Sequence, residues 1–358
     1  MRIGSAAAYT DRLGALEEPL RRTAYGSRAG HNAVPAIQAL FLLANHAWFA
    51  GQWELLRRTA GDGLELCEEL RYPMPSWPGR FHLGCVAAAC GDYPAARALA
   101  EEMDQWARPR RIETVRHYAA HIRTMIALAQ GDFEAAYRHA EAVSPAGSLP
   151  AFTPHALWIV LDLIEAAVRT GRRAQALEHV RAVREAGLDS LSPRLHMLVL
   201  ACAGLAAEDG READAAFGAA LAVAGAERWP FDLARIRLYY GERLRRGKAP
   251  ARARRHLAAA AETFGRLGAA PWARRAAQES RACGAPARGT AGPGTATLTP
   301  QQWAIASLAA AGLTNKQIGE RLFLSSRTVS THLYQVFPKL GVTSRAALRD
   351  ALTPLESR

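Results

Sequence analysis

Between Ser325 and Pro338 the polar residues Arg327, Ser330, Thr331, Tyr334 and Gln335 fall on one side of a helical repeat, while Val329, Leu333, Val336 and Phe337 fall on the other. A helix of that kind buries one stripe and offers hydroxyls, an amide and a guanidinium to whatever lies outside. Upstream, Ile318 and Leu322 mark a shorter helix starting near Asn315, and a tight turn through Phe323 and Leu324 joins the two. Two helices so joined, the second with an exposed polar face, form the geometry that lays a recognition helix in the major groove of DNA.

The surrounding residues supply the elements that hold this pair. Thr299-Pro300-Gln301-Gln302 reads as a helix start, with Thr299 as N-cap, Pro300 in the first turn and Gln302 closing a capping box. That helix buries Trp303, Ile305, Ala306, Leu308 and Ala309 and stops at Gly312. Ser325 is the expected N-cap of the recognition helix, about 326–338, with Pro338 and Gly341 ending it. A fourth helix begins near Thr343. Residues 298–358 carry seven Lys or Arg against three Asp or Glu, a net of +4, which favours a polyanionic partner.

The segments Leu298-Thr299-Pro300, Gly312-Leu313-Thr314-Asn315-Lys316-Gln317-Ile318, Leu324-Ser325-Ser326-Arg327-Thr328-Val329-Ser330-Thr331-His332 and Lys339-Leu340-Gly341-Val342-Thr343-Ser344-Arg345 together resemble the LuxR-type DNA-binding domain. The resemblance covers about fifty residues in register. It implies that Ser330, Thr331 and Tyr334 face the bases. It assigns phosphate contacts to Asn315, Lys316, Arg327, Thr328, Lys339, Ser344 and Arg345. It implies a homodimer on DNA, and the fourth helix, with Ala346, Ala347 and Leu348, is the expected contact between the two copies. Two positions depart from the family pattern. Gln302 stands where Glu is usual, and still completes the cap. Hydroxyls stand where many members carry Lys or Arg, and these make no bidentate guanine contact, so shape and water are expected to share in the readout. His332 lies between base-facing residues, and its expected role is packing within its own domain.

Residues 40–283 carry a repeat. Gly51, Gly91, Gly131, Gly171, Gly210 and Gly247 are separated by 40, 40, 40, 39 and 37 residues. Gly51-Gln52-Trp53, Gly91-Asp92-Tyr93 and Gly131-Asp132-Phe133 put an aromatic residue two places on. Ala95-Ala96, Ala135-Ala136 and Ala215-Ala216 follow in the next helix. Each unit reads as an apolar helix ending at a left-handed glycine, an aromatic wedge and an amphipathic helix. The fold class expected is all-α: an α-solenoid of helix pairs, TPR-like with a period of about 40, followed by a four-helix LuxR-type helix-turn-helix domain. Residues 1–39 hold the trace of one further pair. The repeats look like divergent tetratricopeptide units, whose usual period is about 34. Trp53 is expected in the core. Trp48, Trp106, Trp158 and Trp229 are candidates for a concave ligand surface.

The domain boundaries follow: 1–283 a helical-repeat sensor or interaction domain, 284–297 a Gly-, Ala-, Pro- and Thr-rich linker, 298–358 the DNA-binding domain. The net charge of +12 rests almost wholly on Arg and fits nucleic acid as well as a general preference for Arg in the chain's composition. Five cysteines are scattered without a Cys-x-x-Cys pair, so neither a disulfide framework nor a zinc site is expected. No eighteen-residue uncharged apolar run and no signal peptide are visible, which points to a cytoplasmic protein with no membrane contact.

No catalytic constellation and no cofactor motif stand out. Gly241-Glu242-Arg243-Leu244-Arg245-Arg246-Gly247-Lys248-Ala249 falls short of a phosphate loop, with one residue too many and no Ser or Thr after Lys248. The chain therefore resembles the C-terminal part of a large ATP-binding LuxR regulator without its ATPase module. Two functions stay open. One is a sequence-specific transcriptional regulator, not an enzyme, whose repeats receive a small-molecule or protein signal. The other is a protein-interaction scaffold with a weak or vestigial DNA-binding domain.

Overall fold

The computed structural model describes residues 2–26, 33–151, 153–284, 300–322, 325–340, 342, 344–345, 347–348 and 351–352. The chain divides into two compact units, Met1–Ala285 and Pro286–Arg358. The architecture is all-α, and no strand occurs among the described residues. The expected linker lies, from residue 285 onward, outside those residues.

In the first unit α1 (Arg2–Tyr9) and α2 (Glu17–Tyr25) precede a series of pairs. These are α3 (Ala33–Phe49) with α4 (Trp53–Glu69), α5 (Trp77–Cys90) with α6 (Tyr93–Ala107), α7 (Glu113–Gln130) with α8 (Phe133–Glu141), and α9 (Ala156–Arg169) with α10 (Arg173–Glu185). A single turn, α11 (Leu188–Leu191), leads to α12 (Pro193–Ala206) with α13 (Gly210–Leu221) and α14 (Pro230–Arg246) with α15 (Pro250–Leu267), and α16 (Ala270–Ala282) closes the unit. The first member of each pair is buried almost all round, as in the continuous run from Ile159 to Ala167. The second is amphipathic, because only one of its faces meets the rest.

Gly51, Gly91, Gly131 and Gly171 adopt the left-handed conformation, with φ of 70, 92, 78 and 78°. Five residues beyond each comes a fully enclosed position: Leu56, Ala96, Ala136 and Ala176. At Ala96, Ala136 and Ala176 the small side chain lets the paired backbones approach closely, whereas the first pair carries Leu56 there. The last two repeats differ from expectation. Gly210 opens α13 behind an Asp209 cap instead of ending a helix. Gly247 has φ −79°, and Lys248, at φ 59°, takes the left-handed place. Counting five from Lys248 gives Ala253, again fully buried, and the matching residue in α13 is Ala213, while Ala215 is exposed. The enclosed position is kept although the glycine has shifted.

The pairs close on themselves. α14 packs back on α3, and α16 reaches α5 and α7. Phe231 lies 5.6 and 5.5 Å from the rings of Trp48 and Trp53. Arg194 joins Asp11 to Asp232 across the seam. The space inside is filled by a buried ionic network: Asp162 with Arg235 and His121, Glu165 with Tyr239 and Arg275, and Glu242 with Arg275 and Arg169. Residues 241–246 run inside α14, so the segment weighed as a phosphate loop is helix. Trp53 and Trp229 are core residues. Trp48 stacks on Trp53, and Trp106 leans on Trp77 at 4.9 Å.

The second unit contains α17 (Pro300–Ala310), α18 (Asn315–Leu322) and α19 (Ser326–Leu340), with helical turns at 348 and 351–352. Ile305, Ala306, Ala309, Ile318, Val329, Leu333, Val336, Leu348 and Leu352 make its core, with Trp303, Leu308, Leu322 and Phe337 at the margin. Pro338 and Gly341 are the expected end of α19; it runs two residues past Pro338 to Leu340, the residue before Gly341. A proline costs the helix one amide donor, and the packing of Phe337 and Leu340 against the core carries it on to Leu340.

Candidate nucleic-acid interface

Two caps fix the ends of the helix pair that carries the polar face. At α18, Gln317 Oε1 accepts from the Thr314 amide at 2.8 Å and from its hydroxyl at 2.9 Å, and Thr314 Oγ1 accepts from the Gln317 amide at 3.4 Å. This is a capping box with Thr314 as N-cap. Its signal is the spacing of Thr314 and Gln317 in Thr314-Asn315-Lys316-Gln317, the same pattern as in 299–302. At α19, Ser325 Oγ accepts from the Thr328 amide at 3.0 Å, the cap the sequence led us to expect. Thr328 Oγ1 lies 2.7 Å from the same hydroxyl and is half-buried.

With Val329, Leu333 and Val336 locked into the core, α19 turns Ser330, Thr331 and Tyr334 outward. Tyr334 is 82% exposed, more than any other exposed large apolar or aromatic side chain among the described residues.

A chain of hydrogen bonds links Arg345 and Asn315, expected at the phosphates, to Ser330, expected at the bases. Arg345 Nη1 donates to Asn315 Oδ1 at 2.7 Å, and its Nη2 donates to the Leu313 carbonyl. Asn315 Nδ2 in turn donates to Ser330 Oγ at 2.9 Å, and that hydroxyl donates to the Ser326 carbonyl. Arg345 is half-buried and ties the turn before α18, the start of α18 and the exposed side of α19 together. Lys316 and Ser344 are exposed. The side chains of Arg327 and Lys339 lie outside the described residues. His332 is half-buried with Nδ1 enclosed, which fits packing in its own domain.

The residues expected at a dimer contact divide. Ala346 lies outside the described residues and Ala347 is half-buried. Leu348 is fully buried in the core cluster that holds Ile305 and Val329.

Residues 296–351 match the family model for bacterial regulatory proteins of the luxR family. The C-terminal domain is of the LuxR type. Over 57 residues the chain is 49% identical to proteins of Mycobacterium bovis and Mycobacterium tuberculosis named as HTH-type transcriptional regulators, a match covering 16% of this chain and 6% of each of theirs. Over 49 residues it is 45% identical to the transcriptional regulatory protein LiaR of Bacillus subtilis, covering 14% of this chain and 23% of that protein. The chain thus spans only a small fraction, 6 to 23%, of the length of these curated relatives. No solved structure matches the chain. Among the described residues no helix is long and apolar enough to cross a membrane, and no group of His, Cys, Asp or Glu is arranged to hold a metal ion.

Proposed function

We propose that the protein is a sequence-specific DNA-binding transcriptional regulator, cytoplasmic and without enzymatic activity, that lays α19 in the major groove. The observation that carries this reading is the exposed side of α19, where Ser330, Thr331 and Tyr334 stand on a helix whose other side is locked by the core. Ser330, Thr331 and Tyr334 face the bases. Lys316, Arg327, Thr328, Lys339 and Ser344 contact phosphates. Asn315 and Arg345 hold Ser330 in place and reach the backbone only from the edge of the site. Residues 1–283 receive a ligand or protein signal, 284–297 link the parts, and 298–358 bind DNA as a homodimer on paired half-sites.

The test is selection of duplexes from a random pool by the full chain, followed by binding measurements near 0.15 M salt. An enriched motif bound at least a hundredfold more tightly than scrambled duplex is expected. Tyr334→Ala should weaken the motif by about tenfold and leave scrambled DNA nearly unchanged. Lys316→Ala should weaken both and lower the salt slope by about one unit. Binding that never exceeds the scrambled level would leave the scaffold reading in its place.

A further inference from the structure

The charge of the chain is not spread evenly along it. Residues 1–229 carry 24 Lys or Arg against 26 Asp or Glu, whereas residues 230–283 carry thirteen against four. A preference for Arg in the composition alone would leave a surplus in both stretches, and the first has none. The surplus sits in α14, α15 and α16, the last helices before the segment 284–297, and it exceeds that of residues 298–358.

The fold gathers much of it at one end of these helices. α14 passes into α15 through the turn at Gly247, and α16 brings its last turn back beside both. Arg245 there pairs with Glu279, and Arg254 Nη1 donates to the Cys283 carbonyl at 3.1 Å. Part of the charge is matched internally. Glu279 answers Arg245, Asp214 lies 2.8 Å from Arg252, and Arg243 donates to the carbonyls of Glu208 and Asp209. Arg246, Lys248, Arg255 and Arg281 remain. All four are exposed, and none makes a hydrogen bond or salt bridge among the described residues. His256, half-buried with its ring 4.6 Å from that of Tyr240, registers the positive field: burial first, then Arg237, Arg255 and Arg252, hold it below its usual range.

We propose that this end of α14, α15 and α16 is a second DNA contact, in which Arg246, Lys248, Arg255 and Arg281 hold phosphates of the duplex flanking the site read by α19. The proposal rests on the reading of the chain as a DNA-binding regulator. Four cations spread over three helix ends suit a partner with many regularly spaced charges better than one small anion, and a duplex offers one charge per about 1.7 Å of its axis. Such a contact adds affinity and salt dependence and carries no sequence information. Arg254 holds Cys283, so the cluster sits where the chain goes on towards the LuxR-type domain. A segment of fourteen residues such as 284–297 spans at most about 50 Å, the length of roughly fifteen base pairs.

The experiment is a fluorescence-anisotropy titration of the full chain with two duplexes, the selected motif alone and the motif with about twenty random base pairs on each side. It is repeated across a salt series and with the motif scrambled. Near 0.15 M salt the long duplex should bind about tenfold more tightly, with a salt slope steeper by about three units, close to 0.9 for each of four phosphates. Arg246→Gln, Lys248→Gly, Arg255→Gln and Arg281→Gln together should remove that gain and leave the short duplex as before. Replacing Arg71, Arg108, Arg111 and Arg184 by Gln removes as much exposed charge and should leave the gain in place. Lys248→Gly alone relieves a left-handed residue, so it should weaken the long duplex by about twofold while the unfolding temperature rises, which separates loss of binding from loss of fold. The proposal is overturned if long and short duplexes bind alike, if the gain survives the fourfold variant, if the control variant loses as much, or if the chain prefers phosphatidylglycerol vesicles to the long scrambled duplex at equal charge. Failure of the sequence-specific reading shows separately, as motif and scrambled duplexes bound alike, and the phosphate contact is then still measured on the scrambled pair.

Discussion

Arg345 shows how one residue's place decides its role. A cation beside a recognition helix reads from sequence as a phosphate contact, yet here its guanidinium bonds to Leu313 and Asn315, and Asn315 holds Ser330. Arg345→Met should therefore destabilise the LuxR-type domain by roughly 1–3 kcal/mol, since partly buried acceptors lose their donors. It should also lower the ratio of specific to non-specific DNA binding. Thermal unfolding and paired titrations check this; unchanged stability with a salt slope one unit lower would return Arg345 to the phosphates. Histidines in the first unit make a second case. Burial lowers His82 and His179 to about 4 and His155 well below its usual 6.5. The unfolded chain then binds more protons than the native one below pH 6.5, so stability is full above that pH and falls as pH drops from 6.5 towards 4. The unfolding temperature should decline through that window, with proton uptake on unfolding seen by calorimetry at pH 5. A flat profile would mean these rings are not buried in solution.

At the scale of the element, the left-handed residue between paired helices separates strain from crowding. A Cβ at Gly131 would meet nothing within 4 Å, so Gly131→Ala should cost only the conformational penalty, about 1 kcal/mol. At Gly51 the same atom would come within 2.6 Å of Pro230 and 2.8 Å of Leu267, so Gly51→Ala should cost distinctly more. Lys248→Gly should stabilise by about 0.5–1 kcal/mol, since Lys248 sits at φ 59° without need of its side chain there. Denaturant unfolding ranks the three, and equal losses at Gly51 and Gly131 would deny the close approach of the first pair to the last. These positions also show what was legible. Helix-ending glycines, alternating apolar and amphipathic helices, the Ser325 cap and the buried stripe of α19 follow from local rules, and each is visible in a window of a few residues. The shift of the left-handed residue from Gly247 to Lys248 was not, because a turn one residue longer keeps Ala253 enclosed with any residue type. Nor was the burial of Leu348, since its neighbours Ile305 and Val329 arrive from α17 and α19. Asn45 and His82 carry no motif at all: 37 residues apart, they meet only because successive repeats stack.

At the scale of the whole first unit, closure depends on charge as well as on apolar burial. Arg275 of α16 places Nη1 2.8 Å from Glu165 and Nε 2.8 Å from Glu242, both almost fully enclosed. Burial pushes the Glu165 carboxyl up, but Arg275, Arg235 and Arg169 more than reverse it and hold it below its usual range. Two carboxylates from α9 and α14 thus share Arg275 of α16 as a common partner, beside Arg169 and Arg235. Removing one member of a buried ionic set leaves uncompensated charge, a loss of about 3–5 kcal/mol, whereas removing charges together costs far less. Arg275→Ala should accordingly destabilise the first unit by that amount. In a Glu242→Gln background the same substitution should cost clearly less, because one of the stranded charges is gone; the difference measured by a double-mutant cycle is the coupling across the seam. Hydrogen exchange should localise the change, with amides of α16 and of α5 and α7 where it docks opening before those of α10 and α13. If Arg275→Ala costs less than about 1 kcal/mol, or if α16 exchanges no faster than α10, then the apolar contacts of Trp272 and Phe231 alone hold the pairs closed, and the ionic network inside is a consequence of closure and not one of its causes.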